Sequence, residues 1–178
     1  FIISEFCMIN DKNEQKIFLE KNLYPRWRGE SVPIHKKELI NMSIKNIKYL
    51  IQSGHEIGFH TSSHQRLSTI KHKSSLIYEI INGADELESM LNIQINHFSF
   101  SFGDLDSFNQ QALKLAKSRY KFIYTAMRGN NAKHLNQLAI RRDTIAVNDS
   151  YNLTDSFLLG AADFVYEKKF NIYESWIN

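Results

Sequence analysis

Short segments rich in β-forming apolar residues alternate along this chain with longer segments whose apolar residues recur at helical spacing. The predicted strands are 1–6, the segment around Ile57 and Phe59, 98–102, 121–126 and one from 138 to 141 or as far as 147. The predicted helices are 14–23, 38–53 with Gly54 as its C-cap, 73–91, one that begins at Asp106 or Ser107, and a last one capped within 152–155 that carries Phe157, Leu158, Ala161 and Phe164 on one face. Because strands that alternate with helices pair in parallel, this order predicts one parallel α/β sheet, open or closed into a barrel.

Length and composition narrow the class of protein. The 178 residues suit a single domain, and no run of eighteen apolar residues could span a membrane. The 22 Lys and Arg against 19 Asp and Glu are dispersed, so no nucleic-acid partner is expected. The only cysteine, Cys7, excludes an intrachain disulfide, which leaves a cytoplasmic or a periplasmic location open, and the oligomeric state is equally open.

Two histidines four residues apart, His60 and His64, follow the predicted strand that contains Ile57 and Phe59. If the chain turns helical after His60, this spacing places both imidazoles on one side, close enough to bind one metal ion. The carboxyl ends of parallel strands are where α/β folds collect their functional side chains. The pair therefore indicates a metal site, although histidines at this spacing also occur as ordinary surface pairs.

Two segments of the chain resemble motifs of a known family. Gly-His-Glu-Ile-Gly-Phe-His-Thr-Ser-Ser-His, from Gly54 to His64, resembles the second motif of the polysaccharide deacetylases, which include the NodB-type chitooligosaccharide deacetylases. Phe-Ser-Phe-Ser-Phe-Gly, from Phe98 to Gly103, is similar to the family's Phe-Ala-Tyr-Pro-Phe/Tyr-Gly motif. The resemblance covers roughly residues 1–147. It implies a distorted (β/α)7 barrel, here without its first strand and helix, and one such domain over residues 1–178.

The resemblance also implies roles for individual residues. His60 and His64 would bind a divalent metal, zinc above all, and the backbone N–H of Phe102 would stabilise the oxyanion of a tetrahedral intermediate. Gly103 would permit a close backbone approach. Apart from the resemblance, Asp104 follows this glycine at the expected rim of the site, where it could contact the substrate or the metal. Ser101 stands where the family has proline, so the restraint on φ that fixes this turn is absent.

Three family features have no counterpart in this sequence. The Thr-Phe-Asp-Asp-Gly motif, which supplies the general base and the third metal ligand, is absent, and we expect it upstream of Phe1, where the chain begins on a segment with the composition of a core strand. The arginine that orients the base would fall at Asn96 or His97. The late Leu-x-Leu-x-His motif with the general acid is not recognisable near 139–143; His97 or His134 could replace that acid.

These features favour a metal-dependent hydrolase that removes acetyl groups from N-acetylated, or less readily O-acetylated, sugars of a polysaccharide or a glycan precursor. The alternative is a degenerate family member that binds carbohydrate or a protein partner without catalysis, which the missing acid and the serine at position 101 would suit. A third interpretation, a purely structural metal site, fits less well because two histidines do not complete a tetrahedral shell.

Overall fold

The structure, a computed structural model, describes residues 1–23, 41–132, 136–146 and 148–177. Within these residues three strands form one parallel sheet in the order β1 (Gly58–Phe59), β2 (His97–Ser99) and β3 (Phe122–Tyr124). Single parallel bridges from Ile2 to Phe59 and from Tyr124 to Ile140 extend the pairing at both edges. The parallel α/β arrangement is confirmed, whereas closure into a barrel stays a prediction.

The described part of the chain contains eight α-helices besides the strands. In chain order they are α1 (Ser4–Met8), α2 (Lys12–Phe18), α3 (Ile44–Gln52), α4 (Lys73–Ile77), α5 (Gly83–Leu91), α6 (Gln110–Arg119), α7 (Tyr151–Leu158) and α8 (Phe164–Ile177). One π-helical turn, Leu19–Leu23, continues α2, and a second, Tyr78–Asn82, joins α4 to α5. Helix α4, the turn Tyr78–Asn82 and helix α5 together form the single helical segment that the periodicity of 73–91 predicts. None of these helices is long and apolar enough to cross a membrane.

Two helices begin later than the apolar pattern indicates, because polar side chains cap them at specific residues. The Ser43 hydroxyl accepts the N–H of Asn46, and the Asn46 side chain accepts the N–H of Ser43, so α3 begins at Ile44. The Asn109 side chain accepts the N–H of Ala112 and caps α6. The expected caps Asp106 and Ser107 lie instead in a short 3-10 turn, Leu105–Ser107.

The predicted elements at both ends of the chain need correction. In the predicted strand 1–6 only Ile2 pairs with the sheet, and the chain turns into α1 at Ser4. The last predicted helix is divided, because α7 ends at Leu158 and Gly160 then adopts a left-handed φ of 80°. The helix α8 that follows buries Phe170 and Tyr173 against the body of the protein.

The hydrophobic core packs against the three strands, and because these strands are parallel their carboxyl ends lie at one edge of the sheet. Phe59, Phe98 and Ile123, one from each strand, are completely buried. The ring of Phe98 stacks on Tyr120 at 4.9 Å, and the Tyr120 hydroxyl donates to the carbonyl of Ile80 at 2.5 Å, which fixes the helices over the sheet. The segments that leave β1 and β2 at this edge contain the two sequence motifs.

Candidate active site

The structure brings the two motif histidines together. His60 follows β1 directly, and its ring centroid lies 4.9 Å from that of His64 in an edge-to-face arrangement. The connecting backbone is a loop and not the helix that the spacing suggested, since Thr61 and His64 have φ of 66° and 62°. Left-handed conformations cost of order 1–3 kcal/mol for residues other than glycine, and they persist only where the surroundings hold them.

Helix α1 holds this loop from one side. The backbone N–H groups of Ser4 and Glu5 donate to the carbonyl oxygens of Thr61 at 3.4 Å and Ser62 at 3.0 Å. These are N–H groups of the first helical turn, which have no partner within the helix itself. The chain therefore becomes helical at Ser4, where the predicted first strand would continue, and the start of this helix binds the histidine loop.

The π-helical turn between α4 and α5 holds the loop from the other side. Ser62 donates its N–H to the carbonyl of Glu79 at 3.1 Å and its hydroxyl to the carbonyl of Tyr78 at 2.8 Å. The Glu79 carboxylate accepts the N–H of Ser63 at 2.9 Å and its hydroxyl at 2.5 Å. A Cβ on Gly83 would lie 2.0 Å from the Ser62 hydroxyl oxygen, so glycine is needed for this close approach.

Burial keeps both imidazoles neutral near pH 7. It lowers the pKa of His60 to about 4, with smaller contributions in the same direction from His64 and Arg142, and it also lowers the pKa of His64. His60 Nδ1 lies 2.8 Å from the Ser99 carbonyl oxygen, which can only accept, so Nδ1 carries the proton and Nε2 keeps its lone pair. A metal ion would therefore bind His60 without displacing a proton.

The lowered pKa of His60 predicts a pH dependence of stability in the metal-free protein. The unfolded chain binds a proton near pH 6.5, whereas folded His60 binds it only near pH 4, so this contribution to stability is complete above pH 6.5 and is lost as the pH falls towards 4. Between pH 7.5 and 5.0 His60 should lower the free energy of unfolding by about 2 kcal/mol. Urea unfolding of the wild type and of His60→Gln at both pH values measures this effect, and the decrease in the free energy of unfolding between pH 7.5 and 5.0 should be smaller by about 2 kcal/mol in the variant. An equal decrease in the two proteins would contradict the lowered pKa of His60.

The imidazoles of His60 and His64 could provide part of the ligand set of a zinc-type ion. Neutral imidazole nitrogen is a favoured zinc ligand, and a catalytic zinc site needs three protein ligands and one open position. In the part of the chain that the structure describes, no group of three or more His, Cys, Asp or Glu side chains could hold a metal ion. His60 and His64 would thus supply two ligands, and a further ligand is needed.

The turn after β2 lies next to the histidines. Phe102 and Gly103 are consecutive left-handed residues, with φ of 63° and 70°. A Cβ on Gly103 would lie 2.6 Å from the backbone nitrogen of Ala126, whose N–H donates to the Gly103 carbonyl at 2.8 Å. Gly103 is therefore required for contact with the segment after β3. The predicted donor, the N–H of Phe102, has no acceptor among the described residues.

Ser101 ties this turn to the histidine loop. Its side chain is completely buried, and its hydroxyl oxygen lies 3.0 Å from the Thr61 hydroxyl oxygen. The same Thr61 oxygen accepts the N–H of His64 at 2.9 Å. Where the family's proline would restrain φ within the Phe98–Gly103 motif, Ser101 instead forms a hydrogen bond to Thr61 of the histidine motif.

Replacing Ser101 with alanine should weaken this connection between the motifs. We expect the free energy of unfolding to fall by about 0.5–1.5 kcal/mol, the usual contribution of one hydrogen bond, measured by urea unfolding. Ser118→Ala is the matched control, because the Ser118 hydroxyl donates only to Leu115 in its own helix. Equal changes in the two variants would show that the Thr61–Ser101 hydrogen bond does not stabilise the site.

The Phe102 side chain also belongs to the site, which the sequence did not indicate. Its ring packs edge-to-face on His64 at 4.8 Å, and the Arg66 guanidinium lies 4.9 Å from the ring centroid. A cleft of about 370 Å³ opens here. It is lined by Lys21, Asn22, His64, Gln65, Arg66, Thr69 and Phe102. An aromatic ring at the wall of such a cleft can stack on the face of a sugar.

Asp104 and His97 both have partners within the protein. Asp104 pairs with Lys169 of α8 at 2.7 Å, and Asp106 joins the same lysine at 3.3 Å. The expected substrate contact of Asp104 stays a prediction, as does the role of Gly103. His97 binds Glu56 and the Tyr124 hydroxyl, each at 2.8 Å, which supports a structural role more than that of an acid. His134 lies outside the described residues.

An arginine beside the histidines was not singled out from the sequence as part of the site. Arg142 follows the bridge at Ile140 and donates to the Ser99 hydroxyl at 2.6 Å and to the Thr125 carbonyl at 2.9 Å. Burial lowers its pKa, and no carboxylate in the described ranges pairs with it. Asp143, the next residue in the chain, pairs with Arg128 at 3.6 Å. The one sequence signal for Arg142 was its place at the end of a predicted strand.

Comparison with known proteins agrees with this geometry. The sequence model of the family described as polysaccharide deacetylase matches residues 29–120, just over half of the chain. This chain belongs to the polysaccharide deacetylase family. Both motif histidines and the Phe98–Gly103 segment lie within the matched range of this family member. Among curated proteins no match was found.

Solved structures of deacetylases share the fold of this family member. A Streptococcus pyogenes deacetylase, PplD, solved with acetate, is 17% identical at a TM-score of 0.55, over 82% of this chain and 84% of that one. A polysaccharide deacetylase of Bacillus cereus is 20% identical at 0.53, over 65% and 36%. A de-N-acetylase of Aggregatibacter actinomycetemcomitans is 14% identical at 0.54, over 67% and 54%. The matched region therefore spans about a third of the Bacillus protein, and identities this low show a common fold.

Proposed function

We propose that this chain forms the metal-binding centre of a hydrolase that removes acetyl groups from N-acetylated sugars of a polysaccharide or glycan precursor, with O-acetylated sugars as a less favoured substrate. The observation that carries the proposal is the convergence of two neutral imidazoles, His60 and His64, beside the Phe102 turn. Membership of the polysaccharide deacetylase family supports the type of reaction.

His60 and His64 would hold the metal, His60 through Nε2, together with a carboxylate that the described residues do not provide. Zinc is the metal most suited to this donor set. When bound, such an ion polarises the amide carbonyl and lowers the pKa of a bound water to about 7.

The remaining groups would act on the acetyl group and the sugar. The Phe102 N–H, which has no acceptor within the described ranges, would donate to the oxygen that becomes negative when water attacks the amide carbon. The Phe102 ring and Arg66 would form one wall of the sugar site. Gly103 would keep the backbone of this turn close to the substrate.

Metal content and acetate release test the proposal directly. The full-length protein should contain about one metal ion per chain and release acetate from N-acetylglucosamine oligomers. Activity should disappear with a chelator and return when zinc is restored. Metal-free protein, or bound metal without acetate release from a range of acetylated glycans, would overturn the catalytic proposal.

The second candidate is a carbohydrate-binding protein without catalysis. It is favoured by the lack of a third metal ligand or a general base beside His60 and His64 among the described residues. Binding of the same oligomers without acetate release, at full metal loading, would support this second function.

A further inference from the structure

A buried carboxylate lies directly behind the histidine loop, and the proposed reaction does not use it. The Glu79 residue is only 2% exposed, and both of its carboxylate oxygens accept hydrogen bonds from one residue, Ser63. A carboxylate is costly to remove from water unless it is paired or hydrogen-bonded. The cost of burying the Glu79 carboxylate is therefore offset by hydrogen bonds to one loop residue, Ser63.

That loop residue controls the direction of the chain at His64. Ser63 immediately precedes His64, whose left-handed φ of 62° turns the imidazole towards His60. With its N–H and its hydroxyl both bound to Glu79, Ser63 cannot rotate without breaking two hydrogen bonds. The Ser62–Ser63 peptide plane and the Ser63 side chain are thereby fixed one residue before the left-handed His64.

The π-helical turn allows one residue to bind the loop twice. The backbone carbonyl of Glu79 accepts the N–H of Ser62, while its side chain binds Ser63. Gly83, one turn further along, lets the helix approach Ser62 closely enough for both contacts. Single π-helical turns within helices are frequent at functional sites, and this one faces the histidine loop.

We propose that Glu79 is a positioning residue for the metal site, acting through Ser63 to hold His64 in the orientation that binds the ion together with His60. This inference rests on the proposed function of the histidine pair. Outer partners that orient metal ligands typically change metal affinity by about 10–100-fold when they are removed. Glu79 would act in this way through the backbone and not by a direct bond to an imidazole.

Cobalt(II) and zinc(II) binding to the full-length protein tests the inference, with affinities measured by titration. Glu79→Ala should weaken both metals by about 10–100-fold. Glu79→Gln should stay within a few-fold of the wild type, because its amide oxygen can accept the Ser63 N–H and its amide N–H can donate to the Ser63 hydroxyl. The matched control is Glu86→Ala, an exposed glutamate of α5.

Amide hydrogen exchange at Ser63 and His64 gives a readout that needs no metal. Glu79→Ala should speed exchange at these two amides by at least about tenfold relative to the core, and Ser63→Ala should speed it at His64 if Glu79→Ala does not fold. Unchanged exchange and unchanged affinity would overturn the role of Glu79. A wild type that binds neither metal would overturn the proposed metal site, and the exchange rates would still decide whether Glu79 holds the loop.

Discussion

Replacing both His60 and His64 with alanine is expected to abolish metal binding and acetate release while the fold survives. The ring centroids of the two neutral imidazoles lie 4.9 Å apart, and the part of the chain that the structure describes contains no set of three or more His, Cys, Asp or Glu side chains that could bind the ion instead. The loss of metal affinity should exceed the roughly 10–100-fold effect of removing an outer partner. Metal analysis and acetate release, with far-UV circular dichroism to verify the fold, measure the result.

A third histidine provides the control for this experiment. His72 is exposed, lies outside the Thr61–His64 loop and precedes α4, so His72→Ala should retain metal and activity. Metal retained in the double variant would place the site elsewhere in the protein. Unfolding of the wild type on metal removal would instead support the structural metal site, because a catalytic ion can be removed without loss of the fold.

The histidine pair could be predicted because its signal is local in the sequence. A strand that ends at His60 and a spacing of four residues are sufficient to predict that the two imidazoles lie close together. The backbone that joins them could not be predicted, because a left-handed φ is rare for a β-branched residue such as Thr61 and depends on distant partners. The two rings therefore do lie close together, although a loop and not a helix brings them there.

The groups that support the pair are remote in the chain, which hid them from a sequence-based interpretation. Glu79 lies 16 residues from Ser63, and Arg142 lies 43 residues from Ser99, so no short motif contains either contact. The apolar periodicity correctly placed Glu79 in a helix. It could not show that an acidic side chain there is buried, since acidic residues are normally exposed.

The ends of the chain were the least predictable part of the fold. The apolar composition of residues 1–6 favours a strand, yet the N–H groups of Ser4 and Glu5 bind the histidine loop, and the chain becomes helical. Helix α8 fell within a predicted helix only at its first residue, Phe164. Its main contacts are tertiary, such as Tyr173 against Phe100 at 6.4 Å between ring centroids.

The largest effect on stability is expected from Phe100, which lies between β2 and the Phe102 turn. Its side chain is completely buried, stacks on Phe108 at 3.8 Å and 9° between planes, and meets Phe98 edge-to-face at 5.1 Å. Phe100→Ala removes these contacts and leaves a cavity, so the free energy of unfolding should fall by about 3–5 kcal/mol. This is a large part of the roughly 5–15 kcal/mol that stabilises a typical domain.

Phe102, two residues later, is the matched control for urea unfolding of this variant. It is the same residue type but is 36% exposed, so Phe102→Ala should lower the free energy of unfolding by only about 1–2 kcal/mol, from partial burial and the contact with His64. Alanine keeps the left-handed strain at φ 63°, so the comparison isolates the burial of the ring. Similar losses in the two variants would mean that the aromatic cluster of Phe98, Phe100 and Phe108 does not stabilise the fold more than the exposed turn does.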